Sequence, residues 1–246
     1  MATFVRVLSV DLRKSLRNRW FVIALLASFF SLLLAITRDL GYLPTHMQME
    51  YTEEPRWAEL LITAMQGSFA ALALPALSAL PAAGLALLEI QTGAARAAVF
   101  RTGYARYALW KTIACLLSGM LVQAGGILLL MLLLNILRLS GLHGPIPLVA
   151  WGEALSPLMA RILCGGLWAG LGSLIALFSM TASAASIGPL CLCYALIMVG
   201  TRFFPTVPMI NPVNWLQTLT PGLLLALPLA GLAMALLLRR EVKAHV

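Results

Sequence analysis

Charge is what this sequence has least of. Among its 246 residues only 11% are Asp, Glu, Lys or Arg, against about 25% in a soluble domain. A soluble fold has too much surface to cover with so few charges, and 61% of the chain is hydrophobic, at a mean hydropathy of +0.93. Acids are scarcer than bases, nine against 17, which leaves a formal net charge of +8. In a soluble chain that excess would point to nucleic acid. In an apolar one it has to be read by its placement among the connections, and nucleic acid is not an expected partner.

Other scarcities narrow the chemistry. There are four cysteines, Cys115, Cys164, Cys191 and Cys193, all within apolar runs and none at C-x-x-C spacing. Cys191 and Cys193 lie two apart on a helix and so point in nearly opposite directions. They read as small apolar packing residues, and no metal site is expected. The three histidines, His46, His143 and His245, fall in connections or the tail. No H-E-x-x-H, G-x-S-x-G or G-x-x-x-x-G-K-[ST] occurs, so neither hydrolytic chemistry nor a nucleotide site is expected here. Ser118-Gly119 resembles an intramembrane protease serine, but no span holds a histidine to activate the hydroxyl. The basic start has no A-x-A-like site after its first apolar run, so no cleaved signal peptide is expected. Ionisable groups are rare inside the apolar runs, which disfavours an ion-driven transporter. Glu59, Glu89, Lys111 and Arg161 read as lying toward span ends, where long side chains reach the headgroups.

What the chain does have is long apolar runs, enough for six crossings of a ~30 Å hydrocarbon core. They cover about 20–36, 60–88, 108–137, 155–178, 184–201 and 221–238. The expected fold is therefore an all-α membrane protein. It forms a single domain over 1–246, with an interfacial helix at 1–19, six spans over 20–238 and a cytoplasmic tail at 239–246. Twelve of the 17 bases fall in three segments, at 1–19, 89–111 and 239–246. By the positive-inside rule those segments lie in the cytoplasm, with both termini. The acidic stretch Tyr42–Trp57 then lies outside.

The first segment is amphipathic. Phe4, Val5, Leu8, Leu12 and Leu16 share one helical face, with Arg6, Arg13, Lys14 and Arg17 on the other, as in a helix lying flat among lipid headgroups. The second basic segment, Glu89–Lys111, is too polar for lipid. A helix is expected there to about Thr102, broken by Gly103, and Tyr104, Tyr107 and Lys111 then fall roughly on one face of the third span's first turns. Gln66 and Gln123 are the deepest polar side chains, suited to interhelical hydrogen bonds or to marking a substrate path. Pro75 and Pro81 should interrupt the second span. Gly165, Gly166, Gly170, Gly172 and Ser173 give the fourth a small-residue surface for close approach, within one subunit or between two. Arg202–Pro221 reads either as a simple loop or as a short re-entrant cap.

Taken in order, the chain has a basic amphipathic helix, a span, an acidic outer segment and a second span. "E-x-x-T-G" and "R…R…R-Y…K" then lead into the third. That order resembles the membrane subunit of ABC-2 type transporters, whose half-size members serve bacteriocin or drug export and lantibiotic self-immunity. The resemblance implies a permease without its own ATPase, set in the cytoplasmic membrane of a bacterium. It implies a separate ABC ATPase subunit holding ATP and Mg, a second membrane subunit (a copy or a relative), contact with membrane lipids, and no cofactor in this chain. It also implies a coupling helix after the second span, with Glu89, Thr92, Gly93, Arg96 and Arg101 as its contact residues. A non-transporting assembly or sensory subunit is the alternative.

The charge asymmetry sets a first test. A membrane-impermeant thiol reagent should label a cysteine placed at Gln48 in intact cells and miss one placed at Ala244. The reverse pattern would invert the orientation.

Overall fold

The computed structural model describes residues 2–41, 57–137, 149–207, 210–217 and 219–245. Among these are ten α-helices: α1 (Ala2–Leu16), α2 (Arg19–Gly41), α3 (Trp57–Gln66), α4 (Ser68–Ala79) and α5 (Leu85–Gln91), then α6 (Ala94–Thr102), α7 (Tyr104–Leu137), α8 (Val149–Ser179), α9 (Ala184–Arg202) and α10 (Pro221–His245). Five of them, α2, α7, α8, α9 and α10, are long and apolar enough to cross a membrane. The chain is a multi-pass, all-helical membrane protein. The helix of the last span, α10, continues through the expected tail to His245 and buries Val242.

The run expected as one second span is instead three short helices, α3, α4 and α5. Gly67 makes the first break. It lies against α2, where a Cβ would come 2.6 Å from the Ala35 methyl. Pro81 belongs to the second break, a turn over Leu80–Gly84. Pro75 sits inside α4 without ending it, although its ring removes the N–H that would have bonded the Ala71 carbonyl. At 1.5 Å per residue α4 is too short to cross the bilayer alone. It packs against α2, α7, α8 and α9 and so occupies the middle of the bundle.

Alternating helix directions gather the basic segments at one end. Ala83 and Leu87 there meet Ala95 and Val99 of α6, Tyr107 of α7, Leu177 of α8, Ala185 of α9 and both Leu238 and Val242 of α10, in one buried cluster. At the opposite end the described residues 210–217 fold onto α8. A 3-10 turn there, Asn214–Leu216, buries Leu216 and stacks Trp215 on Trp168, ring centres 6.1 Å apart. The stretch 42–56 and the 138–148 connection lie outside the described residues.

The small-residue surface of α8 is used inside the subunit. A Cβ on Gly119 of α7 would run into the Gly165 carbonyl, and one on Gly165 would stand 2.6 Å from Cγ of Gln123. Gly166 and Gly170 lie under Met120 and Leu116 of α7, while Gly172 faces Ala79 and the Ala185 carbonyl. These glycines set how closely α7, α8 and α9 approach, so they are not a free face for a second subunit. Gly231 of α10 differs, since a Cβ there meets only the flexible ends of Leu116, at 3.3 Å, and Thr112, at 3.7 Å. Gly165→Ala should therefore destabilise the purified protein by about 1–3 kcal/mol through overpacking against backbone. Gly231→Ala should be neutral or stabilise it by up to ~1 kcal/mol through helix propensity. Melting temperatures in detergent check both.

Candidate functional site

The basic end holds the densest polar assembly among the described residues. Lys111, two turns into α7, has its Nζ 2.7 Å from Oε1 of Glu89 on α5 and 3.3 Å from Oδ1 of Asp11 on α1. Lys14 reaches the same Glu89 oxygen at 3.5 Å, and the Tyr107 hydroxyl donates to Glu89 Oε2 at 2.9 Å. Lys111 is the buried partner, with a side chain 7% exposed, against 62% for Lys14. One ammonium thus joins carboxylates from two other helices at the membrane boundary. Burial would raise the Glu89 carboxyl, but the Lys111 ammonium, hydrogen bonds from Lys111 and Tyr107, and the Lys14 charge together hold it below its ordinary value.

On α1 the contact is made from the edge of the leucine face that adjoins Lys14. Asp11 and Ser15, one turn apart, point into the bundle, and Asn18 continues the line by donating from Nδ2 to the Pro81 carbonyl at 3.4 Å. Leu16, Arg13 and Arg17 stay exposed. The i, i+4, i+7 polar stripe of Asp11, Ser15 and Asn18 was the sequence signal for this docking face. A two-face reading passes over it. The side chain of Arg6 lies outside the described residues.

The residues expected to contact an ATPase separate into two groups. Glu89 turns inward to Lys111 and Tyr107. Thr92, Gly93 and Arg96 instead line an open cleft with Leu87, Ile90 and Met180. Gly93, with φ +74°, and Gly103, with φ +81°, occupy left-handed backbone that side chains rarely adopt. They isolate α6 as a discrete helix. Its Ala95 and Val99 are buried, while Arg96, Ala97, Phe100 and Arg101 are exposed, Phe100 at 86%.

Two further polar positions lie deeper. Gln123 is fully buried, donating from Nε2 to Ser78 Oγ at 2.8 Å and accepting from Ser28 Oγ at 3.2 Å, so it ties α7 to α4 and α2. Gln66, half-buried, ends α3 beside the Gly67 break. Arg161 was expected near a span end with its head at the interface, and the structure corrects this. It has 0% exposure and donates to the carbonyls of Met65 at 2.8 Å and Ala70 at 3.2 Å. Met65 is in the last turn of α3, where the break leaves carbonyls without helical partners and the helix dipole favours a cation. Lys111 is likewise buried rather than extended toward headgroups. Cys191 is exposed and Cys193 buried, as their spacing implied. The Ser118 hydroxyl donates to the Cys115 carbonyl in its own helix at 2.8 Å. No group of three or more metal-ligating side chains occurs among the described residues.

Compared with known proteins, the chain matches no family model and no curated protein sequence.

Removing one member of a buried charge assembly costs about 3–5 kcal/mol. Lys111→Met should approach that loss, because it strands Asp11 and Glu89 together. Glu89→Gln should cost less, since Lys111 keeps Asp11. A depressed carboxyl stabilises the fold above its unfolded value near 4.5 and loses that contribution as pH falls through the lower folded value. The melting temperature should therefore fall on acidification below about pH 4.5, and less steeply in Glu89→Gln. At the helix break, Arg161→Met should cost about 1–3 kcal/mol by leaving the buried Met65 carbonyl unpaired. A melting temperature unchanged in Arg161→Met would show that the break does not need the guanidinium.

Proposed function

We propose that this chain is the membrane subunit of an ATP-driven exporter of the ABC-2 type. On this reading α3, α4 and α5 together make one broken crossing, which brings the total to six, and both termini lie in the cytoplasm of a bacterial cell. A separate ATPase subunit binds ATP and Mg and drives the cycle. Two membrane subunits, copies or relatives, enclose the path of an amphipathic, peptide-like or lipid-like substrate.

The observation that carries this reading is α6. A nine-residue helix set off by two left-handed glycines sits at the basic end of the bundle. Its inner face is fixed by Ala95 and Val99, and its outer face presents Phe100 between exposed arginines. An aromatic side chain exposed beside guanidinium groups is the composition of a protein-contact anchor, and the cleft of Thr92, Gly93 and Arg96 adjoins its start. The Lys111 assembly gives this helix a mechanical base, because Glu89 ties the segment leading into α6 to both α1 and α7. Force applied at α6 would then reach the first and third spans without a separate linker.

Phe100→Ser changes no charge, so the orientation signal is untouched, and the side chain lies outside the core. It should lower ATPase copurification at least tenfold, in line with the loss of an anchor of ~1.4 kcal/mol or more. Arg101→Ala should act in the same direction. Melting temperature and abundance should stay near wild type. Wild-type recovery of an ATPase with both variants, or no ATPase recovered with the wild type, would remove coupling from α6 and favour a non-transporting assembly or sensory subunit.

A further inference from the structure

A second surface at the basic end has no part in the coupling reading. Where α1 turns into α2, an open groove of about 250 Å³ runs between that turn, the Leu80–Gly84 bend and the start of α9. Trp20, Leu80, Leu85 and Leu88 form its apolar walls, with Asn18 and Ser186 among the polar groups lining it. Trp20 and Leu88 are both exposed. The groove lies level with the first residues of α2 and α9, where both apolar spans begin. In a bilayer that level is the boundary between acyl chains and headgroups, a depth that suits an indole ring.

The charge around the groove is one-sided. Arg19 holds its guanidinium over the Trp20 ring, 5.6 Å from the centroid, and makes no ion pair among the described residues. Two acids of the basic end, Asp11 and Glu89, are both committed to Lys111. Asn18 is fixed too, since its Oδ1 accepts from the Trp20 backbone N–H at 3.2 Å while Nδ2 donates to the Pro81 carbonyl. The turn that carries Arg19 is therefore braced, and its cation is oriented by an aromatic face. A guanidinium so placed suits a phosphate, which it can bind through two parallel hydrogen bonds. No carboxylate lines the groove to receive the ammonium of a zwitterionic headgroup.

We propose that this groove binds an anionic phospholipid, with one acyl chain between Trp20 and Leu88 and the phosphate on Arg19. The lipid fills the gap between the α1–α2 turn and the α8–α9 turn, and so joins the two halves of the basic end. The proposal rests on the chain's crossing a membrane and on this groove. It is independent of the export reading, and failure of either leaves the other standing.

The test is native mass spectrometry of the purified chain equilibrated with equimolar phosphatidylglycerol and phosphatidylcholine. The wild type should retain phosphatidylglycerol in preference. Arg19→Gln should reduce that preference about fivefold, the effect of one base at a membrane surface, and Arg19→Lys should restore part of it. Arg106→Gln removes the same charge from an exposed position on the first turn of α7, outside the groove, and should leave the preference intact. Ser186→Trp fills the groove without altering charge and should lower retention of both lipids. If Ser186→Trp fails to fold, Leu88→Trp carries the same test from the facing wall. No lipid preference in the wild type would overturn the proposal, as would equal losses in Arg106→Gln and Arg19→Gln, which mark a diffuse charge effect. Full lipid retention in the groove-filling variant would also overturn it. A wild-type dimer abolished by Ser186→Trp would assign the groove to a second copy instead and overturn it as well.

Discussion

Lys111 is a cation buried where a membrane protein can least leave one unpaired, and its two carboxylates come from segments far apart in the chain. Asp11 arrives on the N-terminal helix and Glu89 on the last short helix of the broken crossing. Without Lys111 the two acids would face each other at the edge of an apolar bundle. With it, α1, α5 and α7 share one electrostatic centre, reinforced by the Tyr107 hydroxyl one turn before Lys111. The arrangement makes α1 part of the bundle rather than a helix that merely floats among headgroups. Leu16, Arg13 and Arg17 stay exposed because the docking contacts use Asp11, Ser15 and Asn18 instead.

A second cation meets the same constraint by another route. Arg161 is surrounded by α3, α4 and α8 and binds backbone carbonyls. The Met65 acceptor exists because α3 stops at Gln66, so the broken crossing and the buried guanidinium depend on each other. A continuous helix would satisfy the Met65 carbonyl internally and leave the arginine without that partner. Gln123 ties the other side of α4 through Ser78. The central short helix is therefore held by polar contacts from two neighbours. Dispersion alone separates a protein neighbour from lipid only weakly, and such contacts specify where it sits.

Much of this was legible in the residues. Hydropathy located α2, α7, α8, α9 and α10, because long apolar runs leave little else for the backbone to do in lipid, although α8 begins six residues earlier and α10 ends seven residues later than the apolar runs. Gly103 was legible as a helix stop, and the i, i+4 alignment of Tyr107 and Lys111 was legible as a shared face. Three things were not. The break at Gly67 arises from the close passage of Ala35, a tertiary fact that no local pattern carries. The depth of Arg161 depends on that break. The inward turn of Glu89 depends on groups 22 and 78 positions away in sequence, Lys111 and Asp11. Sequence grouped Glu89 with Thr92, Gly93 and Arg96, whereas the fold divides them between an internal tie and an open cleft. The α8 glycines were legible as a packing surface, but which neighbour they serve became clear only from Gly119, Met120 and Leu116.

The account depends on α1 being held to the bundle by Lys111. Hydrogen–deuterium exchange of the purified protein, comparing wild type with Lys111→Met, examines this directly. Backbone amides of α1 should exchange markedly faster in the variant, while those of α8, packed through its glycines, should keep their protection. An α1 equally protected in both proteins would contradict the account, since the helix would then be held by something other than the charge at Lys111.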